Sequence, residues 1–142
     1  MFLQHYKFYW VFFLFFSLFS SCGHDNSPEG VAKEFLFRYF IELNQRGALE
    51  LSEGLAVKKL EKEIELLQSV RMEPNLDLAS HKPFLDYNLV NSQQRGESSV
   101  TFYYDITIEN KSGTEYKREL VLTTSLSNGR WKVSNFDTFV KN

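Results

Sequence analysis

The chain has 142 residues, of which 43% are hydrophobic and 24% charged, and its formal net charge is −2. This length suits about one domain, and the composition is typical of a folded globule rather than a disordered or collagen-like chain. The near-neutral charge argues against nucleic-acid binding, which needs a strong excess of basic residues. One cysteine and three histidines are too few for a zinc cluster or a disulfide framework, so no metal or cofactor is expected.

The first 21 residues have the composition of an export signal. Lys7 precedes the apolar run Phe8–Phe19, in which Ser17 is the one polar residue, and no acidic residue occurs before Asp25. A basic start followed by an apolar stretch is typical of a secretory signal peptide. The run of twelve residues is too short to cross a bilayer as a helix, which takes about 20 residues. We therefore expect residues 1–21 to be a signal peptide.

The leader ends in Leu18-Phe19-Ser20-Ser21-Cys22, two small residues followed by the only cysteine. This segment resembles the cleavage site of bacterial lipoproteins. The resemblance implies that Cys22 begins the mature chain and carries acyl chains such as palmitate. Several acyl chains anchor a protein stably to a membrane without a transmembrane helix. Two alternatives remain open: an ordinary secretory leader with an incidental thiol, and a buried core segment of a cytosolic protein.

Residues 22–27 comprise the lipidated cysteine and a short polar tether, Gly-His-Asp-Asn-Ser. Six residues reach at most about 20 Å when extended, so the folded part is expected close to the membrane. In enterobacterial lipoproteins an aspartate after the cysteine retains the protein in the inner membrane, and Gly23 stands at that position here. The resemblance therefore implies a lipid-anchored protein of the cell envelope, in the outer membrane facing the periplasm if the host is Gram-negative.

Helices are predicted at the start of the domain, which is expected to span residues 28–142. Ser27 and Pro28 form an N-cap and a first-turn proline. Apolar residues follow at helical spacing, and Gly47 is predicted to end this first helix. A short second segment is expected over residues 48–53.

A third helix is predicted over about residues 55–70. Its apolar residues recur at helical spacing, and they form a stripe that should face the core. The charged residues between them include Lys59 and Glu63, which are four positions apart and are expected to form a weak ion pair. This charged face is predicted to lie in solvent.

The second half of the domain alternates apolar and polar residues, as strands do. Turn signals, including Asn128-Gly129, divide it into four predicted strands, at 84–93, 99–109, 115–126 and 130–136 or slightly beyond. Successive hairpins make an antiparallel meander. One face is apolar and aromatic and the other is largely polar, so the helices are expected to cover the apolar face in an α+β domain.

Helices followed by an antiparallel sheet resemble the NTF2-like cone fold, the superfamily of nuclear transport factor 2, ketosteroid isomerase and SnoaL-type proteins. More narrowly, Asn128-Gly129-Arg130-Trp131-Lys132-Val133 is similar to the closing strand of small DUF4878-type lipoproteins. A supporting pattern is Val31…Phe35-Leu36…Gly47…Ala56 in the helical half. The resemblance covers about residues 28–140 and implies N-terminal helices packed on a curved four-stranded antiparallel sheet, with room for a pocket between them.

Enzymes of this superfamily place a carboxylate or a histidine in the pocket as general base. The inward register of the second, third and fourth predicted strands carries no acidic residue, because Asp105, Glu109 and Glu119 fall on the outward face. We therefore expect a non-catalytic domain. The candidate ligand-binding residues are aromatic or polar side chains that the pattern turns inward: Tyr39, Tyr87, Phe102, Tyr104, Tyr116, Arg118 and Trp131.

Three functional hypotheses follow. The domain binds a small apolar ligand in an aromatic pocket, or it contacts an envelope protein or a second copy through the outward sheet face, or it is a pocket enzyme of the ketosteroid isomerase type. The outward face is defined by Thr101, Tyr103, Asp105 and Thr107. A cavity of about 300 Å³ among the candidate residues would favour the ligand. A filled core would favour the protein contact, and an inward acid or histidine would favour the enzyme.

Overall fold

The computed structural model describes residues 25–71, 84–110 and 112–141. Within these ranges it has α1 (Pro28–Leu36), a π-helical turn (Phe37–Ile41), α2 (Gln45–Glu50), α3 (Gly54–Arg71), β1 (Phe84–Gln94), β2 (Ser99–Glu109), β3 (Glu115–Ser127) and β4 (Arg130–Val140). The strands are antiparallel and adjacent in chain order. The predicted α+β class and the meander are therefore confirmed. The predicted signal peptide and Cys22 lie outside the described residues.

Helix α1 begins where the sequence indicates. The Ser27 hydroxyl accepts a hydrogen bond from the Gly30 backbone N–H at 2.9 Å, and Pro28 occupies the first turn. The helix then widens into the π-helical turn, and it ends at Ile41. Leu43 follows with a φ of 54°, a left-handed conformation that costs a residue with a Cβ about 1 kcal/mol or more. This residue, rather than a glycine, reverses the chain.

Gly47 does not end the first helix, and that prediction is wrong. It lies inside α2, where its N–H donates to the Asn44 side-chain oxygen at 2.9 Å. A Cβ at this position would approach the Asn44 amide nitrogen to 2.6 Å and the Arg38 side chain to 3.1 Å. Glycine is therefore needed here for close approach and not for a left-handed turn. The second segment accordingly begins three residues earlier than predicted.

The apolar face of the sheet carries the core, as the alternation predicts. On β2 the buried apolar residues are Phe102, Tyr104 and Ile106, and they pair across to β3 with Leu122, Leu120 and Arg118. Helix α1 covers this face with its own buried side chains, Val31, Ala32, Phe35 and Leu36. The resulting core contains no acidic residue among its described members.

Strand β4 is longer than predicted because it contains a bulge. Val133 pairs with Thr124 and Asn135 with Thr123, so Ser134 is an extra residue between two pairs. A bulge of this kind shifts the alternation by one position. Phe136 consequently points into the core, and the strand continues to Val140.

The free edge of β4 is covered by the connection between α2 and α3. The Val133 N–H donates to the Leu51 carbonyl, and the Glu53 N–H donates to the Val133 carbonyl, each at 2.8 Å. Ser52 forms a short parallel bridge with Val133 between these two bonds. Covering an edge strand in this way prevents another strand from pairing with it at Val133.

Lys59 does not lie free in solvent as predicted, because it joins α3 to β4. Its ammonium donates to the Asn135 side-chain oxygen at 2.9 Å, to the Phe136 carbonyl at 2.8 Å and to the Asp137 carboxylate. Charged hydrogen bonds to several acceptors stabilise a fold more than an isolated surface ion pair does. The predicted ion pair with Glu63 is replaced by these contacts.

Replacing Lys59 with methionine should lower the free energy of unfolding by about 1–2 kcal/mol. The substitution keeps the length of the side chain but removes all three hydrogen bonds and leaves the Phe136 carbonyl without this donor. Urea unfolding followed by circular dichroism would measure the change. Lys58→Met at the exposed neighbouring position is the matched control and should change stability by less than about 0.5 kcal/mol. Equal losses in the two variants would contradict the role given to Lys59.

Candidate functional site

The candidate pocket residues on the middle of the sheet are packed into the core. Phe102 and Tyr104 are buried, their ring centroids are 6.2 Å apart, and Tyr87 meets Tyr104 edge-on at 6.1 Å. These distances are typical of aromatic pairs in close contact. The structure therefore brings three predicted residues together, but as a packed cluster.

The Tyr104 hydroxyl is an unusual feature of this cluster. It is buried, and none of the described residues forms a hydrogen bond with it. Burial, followed by the nearby Glu29 charge, raises the pKa of Tyr104 above its ordinary value, because the phenolate would lose its hydration. An unpaired buried hydroxyl costs free energy that a phenyl ring at the same position would not.

Tyr104→Phe should leave stability at neutral pH unchanged or raise it by about 1 kcal/mol. Its effect on pH dependence follows from the raised pKa values of Tyr39 and Tyr104. The folded state retains protons that the unfolded state loses above about pH 10, so stability is full below that pH and falls above it. The variant should show a shallower loss, because Tyr39 is then the only one of these two tyrosines that contributes.

Urea unfolding at neutral pH and near pH 11 would test this prediction. Tyr103→Phe is the control, because the Tyr103 hydroxyl lies on the exposed side of the sheet and makes only a 3.5 Å contact with Gln93. A marked loss of stability in Tyr104→Phe at neutral pH would show that the hydroxyl has a partner in solution.

Tyr39 belongs to a second aromatic group, with Phe35 and Phe136, at centroid distances of 5.5 and 5.1 Å. Its hydroxyl donates to the two carboxylate oxygens of Glu63 at 2.9 and 2.8 Å. Burial, together with the bond to Glu63 and its charge, raises the pKa of Tyr39. The Tyr39 hydroxyl therefore joins the π-helical turn to α3.

The contact of Glu63 was not predicted from the sequence, because the whole charged face of α3 was expected to lie in solvent. A signal was present: Glu63 is three positions after Leu60, which is fully buried, so it lies beside the apolar stripe on the same helical face. A carboxylate at such a margin can reach a tyrosine on the neighbouring helix. The charge run of α3 therefore includes two residues, Lys59 and Glu63, that hold the helix in place.

Tyr116 and Arg118 lie at the opposite end of the sheet from Trp131. They pair with Ile108 and Ile106 on the inner face, but Tyr116 is half exposed. Trp131 pairs with Leu126, which follows Arg118 by eight residues on β3, or about 26 Å at 3.3 Å per residue. The candidate residues consequently do not converge on one site in the described structure.

Trp131 lines a groove of about 330 Å³ at the end of the sheet formed by the β3–β4 hairpin. The groove is lined by Asp25, Asn26, Val31, Leu51, Arg130, Trp131 and Lys132. Val31, Leu51 and the indole ring provide apolar surface, and the remaining side chains are polar or charged. Among the described residues, none of the other candidate pocket residues lines this groove. The groove beside Trp131 is the candidate functional site.

Asn26 fixes the start of the domain at this groove. Its side-chain amide donates to the Gly129 carbonyl at 3.1 Å, and its side-chain oxygen accepts from the Trp131 N–H at 3.0 Å. The Asn26 amide donates one bond to the hairpin and accepts the other from it, as the N–H and C=O groups of a paired backbone residue would. Asn26 was predicted to lie in the tether, and its role could not be identified from the sequence, since contacts between residues so distant along the chain leave no local pattern.

Two of the charged groups at the groove are hydrogen-bonded to uncharged partners. The Lys132 ammonium donates to the Glu50 carbonyl at 2.5 Å, and the Asp25 carboxylate accepts from the Ser27 hydroxyl at 3.0 Å. Arg130 is exposed. Over residues 25–71, 84–110 and 112–141, no three His, Cys, Asp or Glu side chains are grouped so as to hold a metal ion. In the same ranges, no helix has the length and hydropathy of a membrane span.

No protein-family model matches the chain, and no curated protein matches its sequence. Among solved structures, the chain is similar to an NTF2-like protein of unknown function from Burkholderia pseudomallei. The two are 12% identical with a TM-score of 0.46, over 80% of this chain and 90% of that chain. The α+β class of the present chain follows from its own described elements, helices followed by a four-stranded antiparallel sheet.

Proposed function

We propose that the chain is a lipid-anchored protein of the cell envelope with a non-catalytic NTF2-like domain that binds another protein. The observation that supports a protein contact over an internal ligand is the filled core. Phe35 and Leu36 of α1 are packed against Phe102, Leu120 and Leu122 of the sheet, and all five side chains are buried. Where a small ligand would need a cavity of about 300 Å³ or more, side chains already occupy the space.

The non-catalytic assignment rests on the chemistry of the inner sheet face. In the described strands, this face carries tyrosine, threonine, serine, glutamine and arginine as its polar residues, and its register pairs contain no aspartate or glutamate. A ketosteroid isomerase-type reaction needs a group that accepts a proton near neutral pH. Tyr104, with its raised pKa, stays protonated near neutral pH and does not accept that proton. A ketosteroid isomerase-type enzyme therefore remains the alternative, but no residue on this face of the described strands is a candidate for its base.

The outward sheet face is the proposed contact surface. Tyr103, Asp105 and Thr107 are partly exposed on it, whereas Thr101 is only 3% exposed and touches Thr123, hydroxyl to hydroxyl, at 3.2 Å. Phe139 adds an exposed aromatic ring in the row of Asp105. Exposed aromatic side chains on a sheet face are typical contributors to protein interfaces.

Crosslinking in cells tests this function. A photo-reactive phenylalanine analogue in place of Tyr103 should capture a defined protein or a second copy of the chain. The same analogue at Lys58, which is exposed on α3, should capture neither and serves as the control. Native mass spectrometry of the purified protein should show no bound small molecule beyond the acyl groups. A co-purified apolar ligand, with no product at Tyr103, would favour the ligand-binding hypothesis instead.

A further inference from the structure

The groove beside Trp131 lies where the chain leaves the domain toward the expected anchor. Asn26 is bonded to Gly129 and Trp131, and Cys22 precedes Asn26 by four residues. Four residues span at most about 14 Å. If Cys22 is acylated, as the proposed function requires, the hairpin end of the sheet is therefore held within that distance of the lipid.

The side chains at this end suit a membrane interface. Trp131 lies between Arg130 and Lys132, and its cross-strand neighbour Leu126 is 41% exposed. Tryptophan is enriched at the headgroup level of membranes, and long basic side chains beside it reach phosphate groups. The bond to Asn26 comes from the backbone N–H of Trp131. The indole N–H donates to none of the described residues, so it can donate to a headgroup oxygen.

We infer that the hairpin end of the domain rests on the phospholipid headgroups, with Trp131 in the interface and Arg130 against a phosphate. This inference depends on the proposed lipid anchor. Two described carboxylates oppose this contact: Asp25, which accepts from the Ser27 hydroxyl but keeps its charge, and Glu97 on the adjacent β1–β2 hairpin, where Arg95 offsets it. The partner that we assign to the groove is therefore the lipid surface itself.

The anchor makes such a small contact effective. A short flexible link holds its two ends together at an effective concentration in the millimolar range, so a contact too weak to bind alone becomes populated. One exposed basic residue near an anionic surface contributes about 1 kcal/mol. In this orientation the strands run away from the membrane, and the β2–β3 turn lies at the opposite end of the sheet.

Tryptophan fluorescence of the full lipidated chain tests the inference. Trp10 and Trp131 are the two tryptophans of the sequence, and cleavage of the leader leaves Trp131 as a single reporter. The chain is reconstituted into vesicles of phosphatidylglycerol and phosphatidylcholine, with or without brominated acyl chains. An indole at the interface emits at shorter wavelength, so the Trp131 emission should shift to the blue in both kinds of vesicle relative to the protein in detergent. Bromine quenches a nearby indole, so this emission should also be weaker in the brominated vesicles than in the others.

A charge variant and a matched control sharpen the test. Arg130→Ser should lower the ratio of docked to undocked protein about fivefold. Lys117→Ser removes the same charge from the far end of β3, about 33 Å from Ser127, and should leave the quenching unchanged. Equal quenching in Arg130→Ser and the wild type would overturn the phosphate contact.

Two further outcomes separate the inference from the proposed function. If the protein floats with the vesicles but Trp131 is not quenched by bromine, the domain stands off the membrane and the inference fails while the anchor stands. If the protein does not float at all, the proposed anchor fails first. Binding of a water-soluble fluorescent fatty acid in competition with vesicles would show that the groove holds a small apolar ligand, which also overturns the inference.

Discussion

Phe35→Ala is expected to remove about 3–5 kcal/mol from the free energy of unfolding, which is the usual cost of truncating a buried aromatic side chain to alanine. Phe35 is fully buried, and its ring lies 5.5 Å from Tyr39 and 5.1 Å from Phe136. It therefore connects α1, the π-helical turn and β4. Because small domains are stable by only about 5–15 kcal/mol, the variant should be close to unfolding at physiological temperature.

Phe37 provides a matched control two residues along the chain. Its side chain is 44% exposed, so Phe37→Ala deletes the same ring from a position that buries much less of it. The cost should be below about 1 kcal/mol. Urea unfolding measured by circular dichroism would give both values. Similar losses in the two variants would mean that the helix does not pack on the sheet through the Phe35 face.

Much of this architecture could be predicted because it follows from local patterns. Helical spacing identified Phe35 as inward-facing, and strict alternation gave the bounds of β2 and the faces of β2 and β3. The bulge at Ser134 could not be predicted in the same way, since it depends on how β4 curves against β3 and α3. Gly47 was misassigned because a glycine can serve close approach as well as a left-handed turn.

The candidate site shows a different limit of sequence reasoning. Alternation predicts which face of the sheet a side chain lies on, but it does not predict whether the space between that face and the helices is open or filled. Phe102 and Tyr104 point inward as expected, yet the space is occupied by packed side chains. Trp131 lines a groove because Asn26 returns to the hairpin across more than a hundred residues, a contact that no local pattern contains.

The proposed lipid anchor at Cys22 can be tested by removing its thiol. Cys22→Ala should abolish membrane association, because the thiol is the attachment point of the acyl chains that the resemblance implies. Stable anchoring takes two or more membrane signals, and the formal net charge of −2 supplies no strong electrostatic attraction to anionic lipid. The docking surface proposed around Trp131 is too small to hold the domain on a membrane without the tether.

Flotation of cell membranes after a high-salt wash would measure this loss, since salt removes proteins held only by exposed charges. Ser20→Ala keeps a small residue two positions before the cysteine, so this control should be acylated and should float as the wild type does. The Cys22→Ala domain should also unfold at the same urea concentration as the wild type, because Asn26 and Ser27 still fix its first helix. Continued flotation of Cys22→Ala would refute the lipid anchor, and the membrane-facing orientation inferred for the hairpin would then lose its basis.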